Sequence, residues 1–337
     1  MKLRNLCGRK MMIKKIMKSL KTFVLVFSIF ISACNNKTEN NPVEPNLPGN
    51  WEAMNTGTSS ALYDVKFINN STGWAAGESG LIIRTTDGGL SWVNQYFNND
   101  IYILGLDFLD SNVGFAVGSN GTILKTTNSG WHWSYLNSNT TKQLTDVNIV
   151  SSDIAIVVGD GGTILRTENA GFNWFMDSVN ISNTLYAVSF LDTDNGIIVG
   201  DNGIVLKTTG RNIRWNVIET DYYNSLQSVK YNNIYDVYAA GTDGIIIKSN
   251  NGGLTWFKLQ SNVENITFMD ISFADINTGY FVGGNGTMLK TVNSGFTLAS
   301  QNSNTNTTLY SISSISPDTV YASGAFGTII RTLTGGY

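Results

Sequence analysis

The chain holds two cysteines, one histidine and four prolines in 337 residues. Cys7 and Cys34 both lie ahead of the first repeat described below, so no disulfide staples the body of the chain in any redox compartment. A lone histidine, His132, excludes a metal centre built on several imidazoles and leaves a Ser-His-Asp relay without its usual parts. Flanked by Trp131 and Trp133, it reads as part of a strand surface. Long apolar runs are missing too: TFVLVFSIFI at 22–31 is about half of the roughly 20 residues a membrane-crossing helix needs. No stretch repeats at the helical period, which leaves turns and short strands.

Residues 1–33 carry eight Lys or Arg and no acid, and they lead into that apolar run, the pattern of a secretory signal. The run ends in Ile31-Ser32-Ala33-Cys34, which resembles the lipobox of bacterial lipoproteins. That resemblance implies export, acylation of the Cys34 thiol and anchoring to a bacterial envelope membrane, expected to be the outer membrane or cell surface. The segment from Cys34 to Gly49 holds three of the four prolines and reads as a disordered tether. Loss of the leader takes 22 basic residues against 25 acidic ones to 14 against 25, a net charge of −11. Such a body is a poor partner for nucleic acid.

One phrase recurs seven times: GESGLIIRT, GSNGTILKT, GDGGTILRT, GDNGIVLKT, GTDGIIIKS, GGNGTMLKT and GAFGTIIRT. The leading glycines, at 77, 118, 159, 200, 241, 283 and 324, are 41 residues apart in five of the six intervals and 42 in the other, 241 to 283. Each period contains four β-compatible runs separated by turn residues, which is one blade of a propeller. The reading is an all-β, seven-bladed β-propeller over 50–337, preceded by the signal peptide (1–33) and the tether (34–49). In blade 1 the inner strand is LYDVKF, the second WAAG and the third LIIRT. Turns such as Ser119-Asn120-Gly121 are expected as tight hairpins in which Asn, Asp and Gly accept positive φ. No helix follows these glycines, so a phosphate-binding loop is a weak reading.

The next turn reads Thr85-x-Asp87-x-Gly89-x-x-Trp92, with counterparts ending at Trp133, Trp174 and Trp256. This resembles the Asp-box, or BNR repeat: the Asp or Asn caps its own turn and the indole covers the hairpin. Blade 4 departs from it, and blade 6 has Leu298 in place of the Trp. Blade 7 ends before its outer strand, whereas Trp51 lies one period ahead of Trp92. The segment around Trp51 is therefore expected to pair antiparallel with 328–333 and close the ring.

Two positions of each inner strand should face the channel: Asp64, Gly105, Asp146, Ala187, Ser228, Asp270 and Ser311, then Lys66, Asp107, Asn148, Ser189, Lys230, Ser272 and Ser313. A hydrated pore lining and a site for an ion or small polar ligand are both open. Strand three ends in a basic residue in every blade: Arg84, Lys125, Arg166, Lys207, Lys248, Lys290 and Arg331. Two uses fit: stems packed between blades with the heads reaching solvent or a carboxylate, or a cationic ring for an acidic partner. Inter-blade loops offer Tyr96, Phe97, Tyr102, Tyr222 and Tyr223 among Asn, Ser and Thr, which suits a protein or glycan contact, or capping of the channel.

Asp-box propellers include sialidases, which the resemblance would equip with an arginine triad. Here Arg84, Arg166 and Arg331 are repeat positions, and Arg211 and Arg214 lie in the degenerate turn of blade 4. Paired acids for glycoside hydrolysis would have to come from Glu219, Asp221 and Glu264. Asp192-Thr193-Asp194-Asn195-Gly196 resembles the start of a calcium loop but aligns with a blade turn and lacks the downstream Glu. No cofactor or metal is implied.

The phrase WAAGESGLIIRTTDGGLSW at 74–92 and its echoes resemble the photosystem II stability and assembly factor family of seven-bladed propellers. The resemblance implies a non-catalytic assembly factor with an arginine-rich patch, although four of the seven matched basic positions here are Lys, which cannot make the same forked contacts. The expectation is a monomeric, lipid-anchored, protein-binding scaffold without enzymatic activity. The alternative is a carbohydrate-binding protein or a sialidase-like glycoside hydrolase.

Overall fold

The computed structural model describes residues 50–96, 100–210 and 213–336. Cys34, the leader, the tether, Phe97 and Arg211 lie outside the described residues. Alternating runs without helical periodicity can bury a face only by pairing as strands. Among the described residues the chain accordingly forms seven four-stranded antiparallel sheets and no α-helix. Blade 1 sets the pattern, with Leu62–Phe67 innermost, then Gly73–Gly77, Leu81–Thr85 and Val93–Tyr96 outermost.

Second strands are buried throughout in six blades and, but for Asn195 at its start, in blade 4, because both of their faces meet a neighbouring sheet. The core is therefore a series of inter-blade layers. Trp74, Ala76 and Ile82 of blade 1 pack on Ile103, Leu106 and Phe108 of blade 2, with the Trp74 and Phe108 rings stacked at 3.6 Å. Val65, Leu106, Val147, Val229, Ile271 and Ile312 of the inner strands are buried in these layers, as their alternation predicts.

The ring closes as expected. Glu52 pairs antiparallel opposite Arg331 and Ala53 opposite Ile330, making Glu52–Ala53 the outer strand of blade 7. Trp51 is 4% exposed and sits edge-on to Tyr280, 6.3 Å between ring centres. On the channel side, the Ser311 hydroxyl of blade 7 donates to Asp64 of blade 1 (2.7 Å), and the Phe67 N–H donates to Ser313 Oγ (3.0 Å).

In each blade the first and third turns lie on one face of the ring, where backbone bonds join them. Gly88 N–H donates to the Ser71 carbonyl (2.8 Å), and Gly335 N–H to that of Asp318 (2.8 Å). The Asp-box turns behave as read from the sequence. The Ser91 N–H donates to Asp87 Oδ1 (2.9 Å), and the Ser91 hydroxyl is the main cause that draws the Asp87 carboxyl down to about 2. The Thr85 hydroxyl adds a second cap, accepting the Gly89 N–H at 2.9 Å.

One turn differs from its expected form. Between strands two and three the chain makes a 3-10 turn, Glu78–Gly80 in blade 1, with Ser79 at φ +59. The leading glycine is extended, so positive φ does not explain it. A Cβ on Gly77 would lie 1.8 Å from the Ala61 carbonyl oxygen, and close approach of two backbones is what requires glycine there.

Candidate functional site: the channel mouth and the loops around it

Six of the seven basic side chains at the ends of the third strands reach the following blade, and Arg166 stays within its own. Lys125 Nζ donates to the Ala170 carbonyl (2.7 Å), Lys248 to Ser294 (3.1 Å), Lys290 to Gly335 (2.8 Å) and Arg331 to Gly88 (2.9 Å). All four acceptors are positive-φ residues in the Asp-box turn of the following blade. Lys207 donates to the Tyr231 hydroxyl (2.9 Å) instead, and Arg166 pairs with Asp177 (3.2 Å) and Glu168. Arg84 lies over the Trp74 and Trp131 rings, 5.9 and 5.3 Å from their centres. Burial lowers the affinity of Lys207 for its proton and takes Lys290 down to about 8. Six of the seven heads are thus engaged in hydrogen bonds or ion pairs, and five of them act as clasps between blades.

Inner strands bring the two predicted rows together around a cavity of about 430 Å³, which all of them line except Gly105 and Ser189. Their carboxylates do more than stay wet. Asp64 Oδ2 accepts the Leu106 N–H (2.7 Å), Asp146 the Val188 N–H (2.8 Å) and Asp270 the Ile312 N–H (2.9 Å), each on the next blade. In the second row Asp107, Asn148 and Ser189 accept from Ile149, Phe190 and Tyr231 in the same way. Lys66 pairs with Asp107 at 2.8 Å, and that carboxylate is the main cause that raises its pKa. Burial, reinforced by the charge of Asp270, pushes Asp64 up to about 6.

A bulge between the first and third residues of the inner strands, Leu62 and Asp64 in blade 1, lets an extra side chain line the mouth. Tyr63, Tyr186 and Tyr310 stand there with Gln143 and Gln227. Sequence reasoning missed these tyrosines, since strict alternation would turn them away from the channel. The Tyr63 and Tyr310 rings meet at 5.3 Å, and Tyr63 meets Tyr102 at 6.4 Å. An aromatic path therefore runs from the mouth to the inter-blade loops.

Of the loop aromatics, Tyr102 is 46% and Tyr223 81% exposed. Tyr222 instead packs against the core layer between blades 4 and 5. Phe97 and the side chain of Tyr96 lie outside the described residues. Glu219, Asp221 and Glu264 are exposed on their loops, while Arg84, Arg166 and Arg331 have separate surroundings, over Trp131, against Asp177 and at the Gly88 carbonyl. His132 is exposed, with its backbone N–H bound to Asn128. Asp192 accepts the Asp194 and Asn195 N–H groups (2.8 and 2.9 Å), an ordinary blade turn. Among the described residues no three His, Cys, Asp or Glu side chains converge as a metal set would.

Sevenfold sheets, Asp-box turns and a closing N-terminal strand define a seven-bladed propeller of the BNR type. The model of the photosynthesis system II assembly factor YCF48 family matches residues 44–176 and 173–264, more than half of the chain, and the protein belongs to that family. Solved structures with the same fold include YCF48 bound to D1 peptide, with TM-score 0.72, 21% identity, and coverage of 84% of this chain and 95% of that one. YCF48 from Cyanidioschyzon merolae gives TM-score 0.71 and 20% identity over 84% and 98% of the two chains. The RRP9 WD40 repeats give 0.72 at 10% identity over 85% and 98%, which shows how far the architecture extends beyond the family. No curated protein matches the chain.

Proposed function

We propose that the protein is a non-catalytic scaffold that binds another protein on the loop face around the channel mouth, held to a bacterial envelope membrane by lipid on Cys34. The observation that carries this reading is the contrast between the two candidate surfaces. Five of the seven basic side chains are committed to clasps between blades, whereas Tyr102 and Tyr223 stand exposed beside a tyrosine-lined mouth. Rigid amphipathic aromatics among small polar residues give contact area at little cost in side-chain entropy. Membership of an assembly-factor family supports a protein partner, as does the peptide bound by the YCF48 structure. The outer strand of each blade is only two to four residues long and offers little edge for strand addition, so the partner is met by loops and side chains. The lipid reading is supported by the basic leader, the short apolar run and Cys34.

A photo-crosslinking residue placed at Tyr223, with a second at Phe172 on the Asp-box face as reference, tests the reading in native membranes. A discrete protein adduct from position 223 and none from 172 is the expected result. Adducts from 172 alone, or glycan turnover that disappears in Glu219→Gln or Glu264→Gln, would overturn it in favour of another face or a hydrolase.

A further inference from the structure

The first row of channel residues is not uniformly satisfied. A carboxylate offers about four acceptor positions. Asp270 is met by donors on every side: the N–H groups of Ile271 (2.7 Å) and Ile312 (2.9 Å), the hydroxyl of Ser228 (2.8 Å) and, shared with Asp64, the single hydroxyl proton of Ser311 (3.0 Å). Asp64 accepts the N–H groups of Val65 (2.8 Å) and Leu106 (2.7 Å) and has the other share of the Ser311 hydroxyl (2.7 Å). Asp146 accepts only two, from the N–H groups of Val147 and Val188, both at 2.8 Å.

The cause lies in its neighbours along the row. Where Asp270 stands between Ser228 and Ser311, Asp146 stands between Gly105 and Ala187, which have nothing to donate. Ala187 lines the 430 Å³ cavity beside Asp146, and its methyl leaves the open side of the carboxylate facing that cavity beneath the tyrosine mouth. Lys230 and Asn148 line the same cavity below it, and Gln143, Gln227 and Tyr186 stand above.

We propose that this cavity binds a protonated amine, with Asp146 as the group that receives it. A cavity of this size suits a small ligand or an inserted side chain. Its chemistry of carboxylates under aromatic rings is that of ammonium recognition, where charge-assisted hydrogen bonds and ring faces act together. The carboxylates do not converge as a metal set, which favours a cation that brings its own N–H groups and carbon skeleton. Burial, with the charge of Asp64 adding to it, holds the Asp146 carboxyl up at about 7, although Lys230 and the Val188 N–H pull the other way. An ammonium at the open positions offsets that penalty.

The amine can come from a free polyamine or from a lysine of the bound protein. The test is calorimetric titration of the propeller at pH 8 with 1,5-diaminopentane and, separately, with N-acetyl-lysine methylamide. Binding of at least one probe is expected, weakened on the order of tenfold or more in Asp146→Asn, where the acceptor charge is lost. Ala187→Ser, which supplies the missing hydroxyl as Ser311 does for Asp270, should weaken it comparably while leaving the fold intact. Preference for the diamine assigns the site to a free ligand, and preference for the lysine amide assigns it to the partner. No heat with either probe at millimolar concentration, or equal binding by all three proteins, overturns the proposal. That failure is distinct from failure of the partner reading, since crosslinking at Tyr223 does not depend on Asp146.

Discussion

Trp51→Ala should be among the most destabilising single substitutions in the ring. Trp51 is buried to 4% exposure against Tyr280, within the layer that includes Val282, Met288, Leu309 and Ile330. Its carbonyl also accepts the Asn304 side-chain amide at 3.0 Å, and the two residues after it pair with blade 7. Truncating a buried tryptophan typically costs about 3–5 kcal/mol through lost apolar contact and the cavity left behind. A further consequence follows from topology. If the short strand detaches, blade 7 keeps three strands and exposes the edge Ile329–Thr332. The assay is urea unfolding monitored by tryptophan fluorescence, with Leu90→Ala, a 67% exposed position, as the reference expected within about 0.5 kcal/mol of the parent. A loss of about 3 kcal/mol or more in Trp51→Ala supports closure by this residue. A loss under about 1 kcal/mol would refute the claim that the N-terminal strand holds the ring shut.

Lys125→Met removes a clasp across blades 2 and 3 and leaves the Ala170 carbonyl without its charged donor, so a loss of about 1–2 kcal/mol in thermal unfolding is expected, with partner crosslinking at Tyr223 unchanged. Reduced crosslinking without reduced stability would instead return the basic ring to the interface. The carboxyls of Asp64 and Asp146, raised to about 6 and about 7, bind more protons in the folded than in the unfolded state between pH 4 and 7. Stability from these two groups is therefore full below pH 4 and falls as pH rises through 7, by on the order of 2–4 kcal/mol for Asp146. Asp146→Asn should flatten the decline of melting temperature between pH 5 and 8, and an unchanged slope would contradict the assignment. Labelling cells with an alkynyl fatty acid should tag the protein through Cys34, and Cys34→Ala should lose the tag; persistent labelling of that variant would rule out this attachment site.

Much of the fold was legible because repetition is a strong signal. The 41-residue period, the runs LYDVKF and LIIRT, and the Asp-box turns each point to the same blade, and Trp51 fell at the place the period demanded. What stayed hidden involves partners with no sequence identity of their own. The acceptors of Lys125, Lys248, Lys290 and Arg331 are backbone carbonyls of the next blade, which any residue can supply. For the same reason Asp64, Asp146 and Asp270 could be placed in the channel but not recognised as latches on the following inner strand. The repeat shows that a glycine stands at position 77 but not why, since the Ala61 carbonyl that requires it comes from another strand. The bulge that brings Tyr63, Tyr186 and Tyr310 to the mouth breaks the alternation on which the sequence reading rested.

The claim that a protein partner is met on the loop face can be tested most directly by amide hydrogen exchange on the propeller, free and bound to the partner recovered through the Tyr223 crosslink. Protection confined to residues 100–102 and 219–225 and to the strand starts bearing Tyr63, Tyr186 and Tyr310, with the turns at 87–92 and 169–174 unchanged, is the predicted result. Protection of those Asp-box turns with the loops left unaltered would contradict it.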